Sequence, residues 1–263
     1  MLQKERKRTH NKGNTADRCA PADFFVGPIL CFGEMMQLIE ISKLADLVNV
    51  VQNFDARTSV FRGMPDDSFQ LIPSIGWIPL AENLSREKHE HELFLKFRKR
   101  AIPHLEFQPI DVWDWLTLAQ HHGLPTRFLD WTYNPMVAAY FAVRDWKAYP
   151  NSQPVIFVSA GIPLINPEIH PDPFRLDKVY RYNPKHITQR LSAQAGVFTV
   201  HPDPNVPIPI ESLIAKLLLP KGTQNTFKRE LYRCGFHEEA LFPGLDGLIR
   251  HLKWLRQGRT GVY

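Results

Sequence analysis

The stretch Gln120-His121-His122-Gly123-Leu124-Pro125-Thr126-Arg127-Phe128-Leu129-Asp130-Trp131-Thr132-Tyr133-Asn134-Pro135 decides how the chain reads. It crowds Gln, His, Arg, Asp and Thr side chains between Gly123, Pro125 and Pro135, more polar groups than a segment with a purely structural role needs. On either side the pattern is apolar and periodic, Val112 to His121 before it and Pro135 to Asp145 after it, and both runs are predicted as helices. The polar stretch is therefore a turn and short strand pinned between two buried elements. Side chains anchored in this way are positioned for binding or catalysis.

Working outward, Met35 to Ile41 is predicted as a strand and Lys43 to Phe54 as a helix capped by Ser42. Ser59 to Arg62 is a strand, and Glu87 to Arg100 a charged amphipathic helix with Leu93, Phe94 and Phe97 inward. Beyond Pro154 the texture changes to short β-rich or apolar runs, Val155–Val158, Val197–Val200 and Leu213–Leu219. Pro202, Pro204, Pro207 and Pro209 mark an extended loop, and Thr226–Cys234 and Leu245–Arg256 are closing helices. The sum is an α+β fold, an N-terminal helical part packed on a mixed or antiparallel sheet.

A chain of 263 residues with 44% hydrophobic content is long enough for one large core, and residues 21–263 are read as a single domain with its core at about 34–255. The formal charge of +5 is misleading as a sign of a nucleic-acid-binding body. Residues 1–20 hold Lys4, Arg6, Lys7, Arg8, Lys12 and Arg18 against Glu5 and Asp17, so they carry +4 of it and are read as a disordered basic tail. Cys19, Cys31 and Cys234 make neither a disulfide framework nor a zinc ribbon, which points to a reducing cytoplasm. The apolar stretch Phe24–Ile41 is broken by Pro28 and Glu34 and is no membrane span.

Several chemistries find no support. GxxxxGK[ST], GxGxxG and GxSxG are all absent. His89 and His91 stand at i,i+2 in Lys88–Glu92, which reads as a solvated charged face, and His121-His122 are adjacent rather than i,i+4. No metal is expected.

Val60-Phe61-Arg62-Gly63, Leu71–Gly76, the Gln120–Pro135 stretch, Ser192–Thr199 and Leu241–Gly247 together resemble the FRG domain family, named for the Phe-Arg-Gly at 61–63. That resemblance implies a prokaryotic or phage-borne module found near toxin and anti-phage systems, with an antitoxin or regulatory protein as partner. A second resemblance, to ADP-ribosyltransferases, rests on the order of three blocks: Phe61-Arg62-Gly63, Leu129–Thr132 running into Val137–Phe141, and Ser192-Ala193-Gln194. It implies NAD as substrate, with Arg62, Thr132 and Gln194 as catalytic residues and His121, Arg127, Asp130, Trp131 and Tyr140 around the substrate. Gln194 departs from the expected Glu, and Glu211 or Asp130 would supply the missing carboxylate. The basic tail favours RNA or DNA over protein as acceptor. Two other readings stand beside it, a nuclease or phosphotransferase using His121 or His122, and a non-enzymatic ligand-sensing module. Arg62 also has a plain structural role open to it, as the ion-pair partner of Asp130, and Trp131 an equally plain one as core.

Overall fold

The computed structural model describes residues 36–80, 84–106, 108–185 and 188–257. The basic tail, Cys19, Cys31 and most of the Phe24–Ile41 stretch lie outside the described residues. Strand β1 (Gln37–Glu40) leads into helix α1 (Leu44–Val51), then β2 (Val60–Met64), a 3₁₀ turn at Ser74–Trp77, and α2 (Arg86–Ala101). The segment around the polar stretch follows as α3 (Val112–His121), β3 (Phe128–Thr132) and α4 (Pro135–Val143). The remainder is β4 (Val155–Ser159), β5 (Tyr180–Tyr182), α5 (Gln189–Ala193), β6 (Gly196–Val200), β7 (Leu213–Leu218), α6 (Gln224–Arg233), α7 (Glu238–Leu241) and α8 (Leu245–Gln257).

Among the described residues the seven strands form one mixed sheet in the order β1-β7-β4-β2-β3-β6-β5. Only β1 and β7 run parallel; the other neighbours are antiparallel. The fold is α+β. Its strands come from the whole described chain, and the sheet centre is made by β2 and β3 from the first half.

Alternation along β2 explains the first two residues of Phe61-Arg62-Gly63. Phe61 is buried in a cluster with Val137, Ala138 and Tyr140 of α4, whereas its neighbour Val60 joins a different cluster with Leu129 and Trp131. Gly63 follows from α4. A Cβ at that position would overlap the Ala138 carbonyl and come within 2.7 Å of the Ala142 amide nitrogen, so only glycine lets the helix lie this close to the strand. The small residues Ala138, Ala139 and Ala142 complete the approach from the helix side.

Several local expectations need correction. Ser42 does not cap α1; the Asp46 carboxylate reaches back to the backbone N–H groups of Ser42 and Lys43, at 3.0 and 3.1 Å, and the helix ends at Val51 rather than Phe54. The Lys88–Glu92 stretch is not uniformly solvated. Glu90 is 1% exposed and receives Arg127 Nη2 at 2.7 Å, Arg127 Nε at 3.2 Å and the Arg127 backbone N–H at 2.8 Å. Ser192 and Ala193 close α5, and Gln194 is its C-cap. No helix among the described residues is long and apolar enough to cross a membrane.

Candidate functional site

Helix α3 stops where its sequence says it should. Gly123 takes φ +82°, its N–H bonds the Gln120 carbonyl at 3.0 Å, and the Leu124 N–H bonds the Ala119 carbonyl at 2.9 Å, a Schellman ending. This leaves Gln120 and His121 on the last turn and turns the chain into β3. Along β3 the residues are buried except for Asp130 in the middle. Its carboxylate Oδ2 accepts from Gln120 Nε2 at 3.0 Å, and Gln120 Oε1 accepts from the Thr126 hydroxyl at 2.7 Å, so the amide is oriented and the carboxylate is held from one side.

Arg62 reaches the same strand. β2 and β3 share one register pair, Phe61 with Thr132, and Arg62 Nη1 donates to the Asp130 carbonyl at 2.5 Å with the Asp130 carboxylate at 4.0 Å. The guanidinium thus ties the two strands together. The long ion pair to a largely exposed carboxylate adds little stability.

Thr132 and Gln194 meet as well, through groups already spoken for. The Thr132 hydroxyl donates to the Gln194 carbonyl at 2.6 Å and accepts the Asn134 N–H at 2.9 Å. Gln194 Nε2 donates to the Leu241 carbonyl at 2.9 Å. These bonds stitch β3, α5 and α7 into one wall.

On that wall stand two residues with spare capacity. His121 Nδ1 lies 3.3 Å from the hydroxyl of Thr188, which accepts the Leu191 N–H and so keeps its own proton for the imidazole. Burial, then the neighbouring His122 and Arg190, pull the His121 pKa down to about 4. The ring is therefore neutral at pH 7. Arg190, on α5, lies with its guanidinium 4.7 Å from the ring centre of Phe242 and makes no hydrogen bond or ion pair among the described residues. Burial lowers its pKa, Asp130 partly restores it, and Arg144 and Arg250 lower it further.

Arg144 and Arg250 also pack on Phe242, at 4.5 and 5.1 Å, but both are paired with the one carboxylate of Glu238. Its Oε1 accepts from Arg144 Nε at 2.7 Å and its Oε2 from Arg250 Nε at 3.1 Å. Burial pushes the Glu238 carboxyl up, and the two guanidiniums more than reverse this. Arg62, Arg144, Arg190 and Arg250 against Asp130 and Glu238 leave an excess of positive charge. Of these four, Arg190 makes no hydrogen bond or ion pair among the described residues.

The remaining predicted site residues lie elsewhere. Arg127 is interior: besides Glu90 its guanidinium meets the carbonyls of Pro173, His201 and Pro202 and the face of Phe174 at 4.6 Å. A group so engaged cannot bind an outside ligand without breaking the fold. Trp131 is buried and gives its indole N–H to Thr199 at 3.1 Å, so it is no stacking wall. Tyr140 is 1% exposed and borders a separate water-sized cavity with Lys228, His237, His251 and Trp254. Glu211 sits in the 3₁₀ turn Ile210–Ser212, just before β7. Sequence reasoning missed Arg190, Phe242 and Glu238. The signal for Arg190 was slight, an Arg two positions after Thr188, which caps α5.

No curated protein and no solved structure matches the chain. One family model does, the FRG domain, over residues 57–150. That span contains β2, β3 and the helices between and after them, hence Arg62, Gln120, His121, Asp130 and Thr132, whereas Arg190 and Gln194 fall outside it. The stretch similar to the FRG domain, residues 57–150, thus holds the Phe-Arg-Gly strand at the sheet centre and α4 pressed on Gly63.

Proposed function

We propose that the face formed by the end of α3, β3, α5 and α7 binds a phosphorylated ligand of the nucleotide class, with Arg190 as the phosphate contact. The observation that carries this is the unpaired, half-buried Arg190 guanidinium between His121 and Phe242. An anion would complete its pairing, and a planar guanidinium matches phosphate oxygens through two parallel N–H bonds. Neutral His121 and the oriented Gln120 amide offer polar contacts for a sugar or base.

A second reading, ADP-ribosyl transfer from NAD to a nucleic acid, is favoured by the exposed Asp130 carboxylate beside this cation. Breaking the nicotinamide–ribose bond builds positive charge on the sugar, which a fixed carboxylate stabilises. In this reading Asp130 takes the part expected of Gln194, and Arg190 the part expected of Arg62. Against turnover stands the internal use of Arg62 and Gln194.

Titration of the full chain with ADP, ADP-ribose, NAD and inorganic pyrophosphate, with nicotinamide release followed in the NAD samples, tests both. Binding that Arg190→Gln weakens at least about tenfold is expected. Failure of all four to bind would overturn the proposal. Nicotinamide release abolished by Asp130→Asn, with the labelled ADP-ribose recovered on added RNA or DNA, would establish the transferase reading; release with the ADP-ribose passed to water would mean hydrolysis, and binding without release would leave a sensing module.

A further inference from the structure

A second constellation lies where α7 meets α8. His237 directly precedes α7, Glu239 is in its first turn, and His251 is on α8. One potential ligand atom from each lies within 4.8 Å of the others. The two imidazoles stack with ring centres 4.3 Å apart, and both Nδ1 atoms are buried without a hydrogen-bond partner. His251 is 5% exposed, which makes an orphaned ring nitrogen costly. Glu239 is exposed and closes the group from the solvent side.

We propose that His237, Glu239 and His251 bind a divalent transition-metal ion of the Zn²⁺ class, which fastens α7 to α8. Two imidazoles and a carboxylate are a ligand set that Zn²⁺ accepts, with water or another group in the fourth position. Tetrahedral bonds of about 2.1 Å place neighbouring donors roughly 3.4 Å apart, so the three donors need to close in by up to about 1.4 Å. The exposed Glu239 side chain is free to move, and the stacked imidazoles must tilt for their ring nitrogens to converge on one ion. Tyr232 and Trp254 pack around His251 and fix its ring, at 5.5 and 6.0 Å. The ion also bears on the anion site, since α7 and the turn after it carry Glu238, Leu241 and Phe242. It would hold that wall in place without touching the ligand.

The test uses the full chain without a histidine tag, stripped with a chelator and then titrated with Zn²⁺ against a chromophoric competitor. Co²⁺ serves as the spectroscopic probe. One tight site per chain is expected, with visible Co²⁺ bands of low coordination number and a rise in melting temperature on loading. Glu239→Gln and His237→Gln should each weaken binding at least about tenfold. Glu239→Gln alters an exposed side chain, so the metal-free protein should melt as the parent does. Absence of a tight site in the parent, or affinity unchanged in both variants, would overturn the proposal. Neither result depends on whether Arg190 binds phosphate.

Discussion

At the scale of single residues, Phe61-Arg62-Gly63 divides its labour cleanly. Phe61 fills the core under α4, Arg62 ties β2 to the Asp130 carbonyl, and Gly63 admits the helix backbone. Gly63→Ala is therefore expected to cost about 3 kcal/mol or to prevent folding, because the obstructing atoms are backbone and cannot rotate away. Urea unfolding of the variant checks this; a midpoint equal to the parent's would mean that α4 does not lie on Gly63. Residue type and local density singled out His121 and Asp130, and the structure adds Gln120, which holds the Asp130 carboxylate. They were not enough for Arg127, Trp131 and Tyr140. A guanidinium or an aromatic ring suits a core or a cleft equally, and what decides is the packing of elements far away in sequence, such as α2 bringing Glu90 to Arg127. Arg190 was illegible for the converse reason: its distinction is a missing partner, which only the folded chain displays.

At the scale of elements, α3 was legible to the residue. Asp111 caps its start by accepting the Asp114 N–H at 2.8 Å, and Gly123 ends it. Elements as short as β5, α5 and α7 leave too few residues for a period to show, and these were missed. The seam between α2 and β3 was missed too, since a buried Glu on a charged helix looks like its neighbours. That seam makes a sharp prediction. Glu90→Ala strands the Arg127 charge at 1% exposure and should destabilise by about 3–5 kcal/mol, whereas replacing Glu90 and Arg127 together by Met should recover much of the loss. Denaturation midpoints of the single and double variants decide it. If the double variant is no better than the single, the carbonyl bonds of Arg127, rather than the ion pair, hold the seam.

At the scale of the whole molecule, stability should depend on pH through a buried histidine. His201 is fully buried, with Nε2 3.1 Å from the Thr199 hydroxyl and Nδ1 3.2 Å from the Val206 carbonyl. The Thr199 hydroxyl receives the Trp131 N–H and so gives its proton to Nε2, which makes Nδ1 the protonated nitrogen. Burial pulls the pKa from 6.5 down to about 4, with the Val206 bond opposing. The unfolded chain takes up a proton as pH falls through 6.5, and the folded one resists until about 4. Stability is thus complete above the first value, declines between the two, and has lost on the order of 3 kcal/mol below the second. His121, half-buried, adds a smaller term of the same sign. Melting temperatures across that window should fall more steeply for the parent than for His201→Asn; parallel curves would rule the mechanism out. One further consequence concerns the making of the protein. Gln37 pairs with Ala215 while β2, β3 and β4 find partners among one another, so at that border of the sheet synthesis and assembly run in opposite directions. Among the described strands β1 leaves the ribosome first, and it waits until β7, the last of them, has been made before its neighbour exists.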